Sequence, residues 1–292
     1  MIRSAVLAVP LAFLAFSPVA QAQSGEAQVI VPSTDLAAEA PEVHALMRAV
    51  GLYDILQIMS VEGLDASVQM EADMFPGQGG AAWSAVVAGI YSADRLTQTF
   101  EDGIDVEAFT PEVLEELAAF YASDTGAAIV AGEVAARRAF LEDGVQDMAE
   151  AMVEDQRANN DPRLDLLAEF NEVNSLIERN VAGALNGNLA FLRGLSDGGA
   201  FDGGMPEQSM LEQIWSQEPE IRASTTEWLF AYQITAYANV TDDDIRAYID
   251  MSRSDAGQIL NAALFEAFDV MFEQVSYSLG AAAAIFIAGE ET

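Results

Sequence analysis

His44 is the only histidine in a chain of 292 residues that has no cysteine, and these two facts narrow the available chemistry. A His-x-x-His or His-Glu-x-x-His metal site needs a second imidazole, and a thiolate nucleophile or ligand needs a cysteine. A Ser-His-Asp arrangement would have to recruit His44, yet no Gly-x-Ser-x-Gly turn is present to hold a serine in a strained elbow. His44 lies near the start of a helical segment, Glu42-Val43-His44-Ala45-Leu46, and reads as an ordinary exposed or half-buried side chain. Carboxylates are what remains. Glu115-Glu116, Glu142-Asp143 and Asp242-Asp243-Asp244 put acids side by side, and glycoside hydrolysis uses a facing pair, one with a raised pKa, in an aromatic cleft. Among 47 acidic residues such neighbours arise by chance. Asp242 to Asp244 also follow Thr241 directly, where a helix N-terminus attracts negative charge without any catalysis. No catalytic residue is assigned.

Metal and cofactor sites are equally thin. The loop Ser196-Asp197-Gly198-Gly199-Ala200-Phe201-Asp202-Gly203-Gly204 carries two carboxylates among glycines. It lacks the Asp-x-Asp-x-Asp-Gly spacing and the closing Glu of a calcium loop, so weak calcium binding is the most it suggests. The comparable stretch Phe75-Pro76-Gly77-Gln78-Gly79-Gly80 has no carboxylate at all. A Walker-type loop needs a lysine, and all twelve basic residues are arginines. Arg137-Arg138 is the only basic pair, and a salt bridge to nearby Glu133 or Glu142 accounts for it. Trp83, Trp215 and Trp228, with Met47, Met59, Met70 and Met74, read as core side chains at helical spacing. No metal or cofactor is assigned.

The elements around these residues read as all-α. With 51% hydrophobic residues the chain can bury a core, and a net charge of −35 makes nucleic acid an unsuitable partner. Met1 to Ala22 reads as a signal peptide: Arg3, an apolar run from Ala5 to Phe16, then Ala20-Gln21-Ala22 before cleavage. Residues 23–40 read as a flexible leader, and the mature protein is expected in the periplasm or secreted. The most apolar later stretch, Val275 to Ala288, is short for a membrane crossing and reads as a buried helix. In Pro111 to Ser123, the residues Val113, Leu114, Leu117, Phe120 and Tyr121 share one helical face, behind the start signal Thr110-Pro111-Glu112.

Self-similarity is the more informative pattern. Phe109-Thr110-Pro111-Glu112 aligns with Val240-Thr241-Asp242-Asp243, and Ser123-Asp124-Thr125-Gly126 with Ser254-Asp255-Ala256-Gly257. Upstream, Ser60-Val61-Glu62-Gly63 resembles Asn180-Val181-Ala182-Gly183. The expected organisation is an internally duplicated helical domain. Residues 41–158 form the first copy and 163–292 the second, with roughly four or five helices each. The turn Asn159-Asn160-Asp161-Pro162 divides them.

The segment Phe109 to Ile129 resembles the secreted bacterial family catalogued as domain of unknown function 2059. That family's pattern is a Thr-Pro-Glu-like helix start followed by Phe-Tyr-x-Ser-x-x-Gly, matched by Thr110, Pro111, Glu112, Phe120, Tyr121, Ser123 and Gly126. The resemblance is strongest over residues 105–144. The second copy keeps Thr241, Ser254 and Gly257 but replaces the Pro by Asp242 and the Phe-Tyr by Met251-Ser252. What the resemblance implies is a small extracytoplasmic helical domain, with no activity to transfer. The expected role is a non-enzymatic module binding a small apolar ligand or a protein. Two alternatives are an acidic ion-buffering or structural envelope protein and, behind it, a carboxylate-based glycan hydrolase.

The acidity itself has a test. If it is an adaptation to saline surroundings, the melting temperature rises between about 0.1 and 1 M NaCl, where the Debye length falls from about 10 Å to about 3 Å. A melt that does not move with salt leaves lineage composition as the explanation.

Overall fold

Polar caps decide where the helices of this chain begin. The computed structural model describes residues 35–201 and 203–289, so the expected signal peptide and most of the expected leader lie outside the described residues. Asp35 caps α1 (Leu36–Glu39), which falls within the expected leader and buries Leu36. Then follow α2 (Pro41–Ala49), α3 (Leu52–Met74), α4 (Gly80–Ile90) and α5 (Ala93–Asp102). A 3-10 turn at Val106–Ala108 leads into α6 (Pro111–Tyr121), α7 (Asp124–Ala139) and α8 (Val145–Ala158). Beyond it come α9 (Pro162–Val173), α10 (Leu176–Asp197), α11 (Glu207–Trp215), α12 (Glu218–Ala236), α13 (Asp242–Arg253) and α14 (Asp255–Ala288). No strand occurs among the described residues.

These helices outnumber the four or five per copy that the sequence suggests, because several restart after one or two residues. Ser123, two residues after α6, caps α7, its Oγ accepting the Gly126 N–H at 3.1 Å; Ser254 both ends α13 and caps α14, accepting the Gly257 N–H, also at 3.1 Å. Glycine is required at both places. A Cβ on Gly126 would sit 2.2 Å from the Phe120 carbonyl oxygen, and one on Gly257 2.1 Å from that of Met251. Thr110 caps α6, while Thr241 and Asp244 form a reciprocal capping box at the start of α13. At the expected boundary α8 stops at Ala158, and Asp161 Oδ1 accepts the Arg163 N–H at 2.9 Å to open α9.

The longest helix, α14, makes the central seam with α10. α14 packs along α10 and also touches α4, α5, α6 and α13. A Cβ on Gly194 would lie 2.2 Å from the Tyr277 carbonyl oxygen, and one on Gly280 2.1 Å from that of Phe191, so here the two backbones touch. Val275, Leu279, Gly280, Ala283 and Ala284 face this seam, while Ile285 is exposed. By length and composition α14 is the one helix among the described residues long and apolar enough to cross a membrane.

Around the seam, α2 packs on α3 and α6, and α9 on α10 and α13; α3 carries α4 and α5, and α10 carries α11 and α12. α5 then crosses to α14, and α12 crosses to α7 and α8, so a single core runs through the whole chain. Two expectations need correction. Trp83 and Trp228 are core residues, but Trp215 is 64% exposed. α11 buries Met210 and Ile214, and Trp215 stands one helical step off that stripe. The upstream self-similarity is also out of register, since α3 and α10 start at Leu52 and Leu176, 124 residues apart rather than 120.

Substitution at the seam tests this packing. Gly194→Ala or Gly280→Ala should each cost about 1–3 kcal/mol, because backbone atoms cannot move aside cheaply. Gly89→Ala, at an exposed helical position with open space around it, should instead stabilise by about 0.4–1 kcal/mol. Urea denaturation of the three variants decides the matter.

Candidate functional site

Glu133 is an acid on the inner face of a helix. In α7 the buried positions are Gly126, Ile129, Ala136 and Arg137, and Glu133 follows Ile129 by four residues, which keeps it on the same face. Its neighbours come from elements far away in the sequence. The Tyr237 hydroxyl donates to Glu133 Oε1 at 2.7 Å and that of Tyr248 to the same oxygen at 3.4 Å, while Tyr232 donates to the Glu133 backbone carbonyl at 2.9 Å. Tyr121, at the end of α6, hydrogen-bonds to Tyr248. Four of the seven tyrosines thus gather around one carboxyl group.

Burial dominates the electrostatics. Removal from water pushes the Glu133 carboxyl up from its ordinary value of 4.5 to about 7, against the pull of the two tyrosine hydroxyls that favour the ionised form. Burial, with the nearby Glu133 charge adding to it, raises Tyr121, Tyr232, Tyr237 and Tyr248 above the usual phenol range. A carboxyl titrating near neutrality inside an apolar wall is a recurrent signature of functional sites.

The supports of this cluster are polar and tie together helices far apart in the chain. Arg163, in the first turn of α9, reaches Asp242 Oδ1 at 2.5 Å and donates to the Tyr237 and Val240 carbonyls at 2.5 and 2.8 Å. A cation at the C-terminal carbonyls of α12 suits the helix dipole and fixes the turn that carries Tyr237. The Thr125 hydroxyl of α7 meets Asp244 Oδ1 at 2.6 Å, anchoring the start of α13, which carries Tyr248. Asn171 and Gln233 exchange amide hydrogen bonds of 3.1 and 2.5 Å between α9 and α12, both fully buried.

These elements line a cavity of about 130 Å³ that is partly open to solvent. Tyr121, Glu133 and Val134 form one wall and Phe170, Tyr237 and Tyr248 another, with Leu229, Leu260, Leu264 and Phe268 supplying the aliphatic and aromatic remainder. An engineered apolar cavity of about 150 Å³ takes up benzene, so the space suits a ligand of that size. A second, larger cleft of about 440 Å³ lies across α7 from the first, lined by Glu62, Asp65, Asp73, Arg137, Asp143 and Trp228 among others.

The residues singled out by sequence fall in several places. Asp242, Asp243 and Asp244 are engaged with Arg163, Arg246 and Thr125 respectively, so their acidity is used in capping and pairing. Glu115, Glu116, Glu142 and Asp143 are exposed. His44 is half-buried, 5.2 Å from the Tyr53 ring. The local partner expected for Arg137 is wrong. Arg137 turns inward to an ion pair with Glu62 of α3 and lies over the Trp228 ring, because Glu133 is already taken by the tyrosines. In the glycine-rich loop, Asp197 accepts the Tyr277 hydroxyl at 3.0 Å, while Asp202 lies outside the described residues. Among the described residues no group of three or more His, Asp or Glu side chains is placed to hold a metal ion.

Residues 106–155 match the family described as "Uncharacterized protein conserved in bacteria (DUF2059)". That span covers the 3-10 turn, α6, α7 and most of α8, beginning one residue inside the expected stretch and extending eleven residues past it. It includes Tyr121 and Glu133. No curated protein and no solved structure matches the chain significantly. The chain is an all-α protein without recognisable catalytic machinery among its described residues.

Sequence reading missed Glu133 as a site residue, treating it only as a partner for arginine. The signal was available: it is the one acid of α7 beyond the first turn, and it sits at a core spacing from Ile129. Tyr232, Tyr237 and Tyr248 gave no such signal, since tyrosine fits any half-buried helical position.

The titration of Glu133 yields a stability prediction. Its folded pKa is raised, so the protonated form favours the native state; that contribution is complete below about pH 4.5 and is lost as pH rises through about 7. The stability difference between wild type and Glu133→Gln should therefore shift by up to about 3 kcal/mol in favour of the variant between pH 4 and pH 8. Parallel denaturant titrations measure it, and a constant difference would show that Glu133 ionises normally.

Proposed function

We propose that the chain is an exported, non-enzymatic binding protein whose site is the cavity around Glu133, and whose ligand is a small, largely apolar molecule. The observation that carries this reading is the cavity itself, a benzene-sized space with a mainly aromatic and aliphatic lining, a few polar side chains and one carboxyl group. A glycan hydrolase would need a second carboxylate opposite the first. Glu133 is the only Asp or Glu on the cavity wall, which favours binding over hydrolysis. Export rests on the Met1 to Ala22 pattern and places the protein in the periplasm or outside the cell. We read α14 as a core helix rather than a membrane crossing, supported by its backbone contact with α10.

We also infer that the fold arose by internal duplication. Equivalent residues recur 131 apart in the caps Thr110 and Thr241, Ser123 and Ser254, and in Gly126 and Gly257. Gly51 before α3 and Ser175 before α10 share a left-handed backbone, with φ of 74° and 53°. The packing partners correspond as well: α2 on α6 as α9 on α13, and α5 on α14 as α12 on α7. That last exchange lets each half supply part of the other's core, and the cavity lies between them.

Native mass spectrometry of the protein recovered from its own extracytoplasmic fraction tests the proposal. The expected species is a chain beginning at Gln23 with an added small mass that is lost on denaturation. A second protein chain in the complex would replace the ligand reading with an interaction module, and a bare chain in every preparation would count against both.

A further inference from the structure

The cavity wall carries a single formal charge. Glu133 is the only Asp, Glu, Lys, Arg or His that lines it, and the other titratable groups facing Glu133 are phenols: Tyr121 from α6, Tyr232 and Tyr237 at α12, and Tyr248 from α13. Arg137, one turn further along α7, belongs to the other cleft, where it pairs with Glu62. Both tyrosine hydroxyls that reach the carboxyl converge on Oε1, and Oε2 receives no hydrogen bond among the described residues. Aromatic rings packed on one another stand beside this carboxyl. Phe170 and Tyr248 lie 4.7 Å apart with planes tilted by 34°, and Tyr237 meets them edge-on at 6.2 and 6.4 Å.

From this geometry we infer that the cavity takes a small organic cation, an alkylammonium with apolar substituents, using Glu133 as counter-ion and the surrounding aromatic and aliphatic wall to cover the substituents. This rests on the reading of the cavity as a ligand site. The attraction has two sources, a charge in a low-dielectric wall and the burial of the apolar substituents against it. An anion would find no basic side chain on the wall, and the tyrosine hydroxyls that could donate to it are already engaged with Glu133. A volume of about 130 Å³ admits a tetramethylammonium-sized head. The net charge of −35 adds a field that concentrates cations near the protein, although salt screens it.

Titration calorimetry on the full mature chain in 0.15 M NaCl tests the inference, with tetramethylammonium chloride as the cation and tert-butyl alcohol as a neutral probe of similar shape. The cation should bind at least about tenfold tighter than the alcohol, and Glu133→Gln should remove that preference while leaving alcohol binding in place. Wild-type protein alone supplies a second readout should the variant fail to fold. Cation binding favours the ionised carboxyl, so about half a proton per chain should be released near pH 7, measurable by comparing buffers of different ionisation enthalpy. Alcohol binding as tight as the cation, or cation binding without proton release, overturns the cation while leaving a ligand cavity standing. If neither probe binds, the cavity reading falls with it.

Discussion

A helix that stops and restarts within one or two residues leaves the N–H groups of the new helix and the carbonyls of the old one in the same small space. Ser123 and Ser254 resolve this by capping the new helix with their hydroxyls, and Gly126 and Gly257 resolve it by having no Cβ to strike the preceding carbonyl. The rest of the structure depends on this joint. It fixes the turn between α6 and α7, and so sets Tyr121 at the end of one helix against Glu133, more than two turns into the next. The second joint turns α13 into α14, placing Tyr248 opposite Glu133 and starting the long helix that runs along α10.

Burial of a carboxyl group costs free energy unless it is hydrogen-bonded or protonated. Glu133 uses both escapes, taking hydroxyls from Tyr237 and Tyr248 and moving its pKa to about 7. Around it, polar contacts reach across long sequence distances: Thr125 to Asp244, Asn171 to Gln233, and Arg163 to the carbonyls that end α12. A core made only of leucine and phenylalanine would tolerate small slips between helices. These directional contacts hold the cavity walls in one register, which is what a small binding site requires. The neighbouring Arg137–Glu62 pair under Trp228 does the same between α3 and α7.

Much of the fold was legible along the chain because its signals are local. Helix caps involve residues three apart, amphipathic faces repeat every few residues, and the division at Asn159 to Pro162 is written in turn-forming residues. The family resemblance was legible for the same reason, since the helix start at Thr110 and the Ser-x-x-Gly joint lie within seventeen residues of each other. Helix number was underestimated because joints of one or two residues interrupt the backbone without interrupting composition. Trp215 was misplaced because a tryptophan beside a buried stripe has nearly the same sequence context as one within it.

The sequence by itself determined the all-α class, the positions of the caps and the glycines that those caps demand, since these depend on contacts within a turn or two. It also determined the absence of cysteine chemistry and of any site needing two histidines, which is a matter of inventory. Only the tertiary structure decided which of 47 acids would be withdrawn from water. Glu133 is set apart by partners that lie about a hundred residues away in the chain, and nothing near it in sequence encodes their approach. The physical reason is that a pKa and a cavity are properties of what surrounds a group in space, and that surrounding exists only once distant helices have packed.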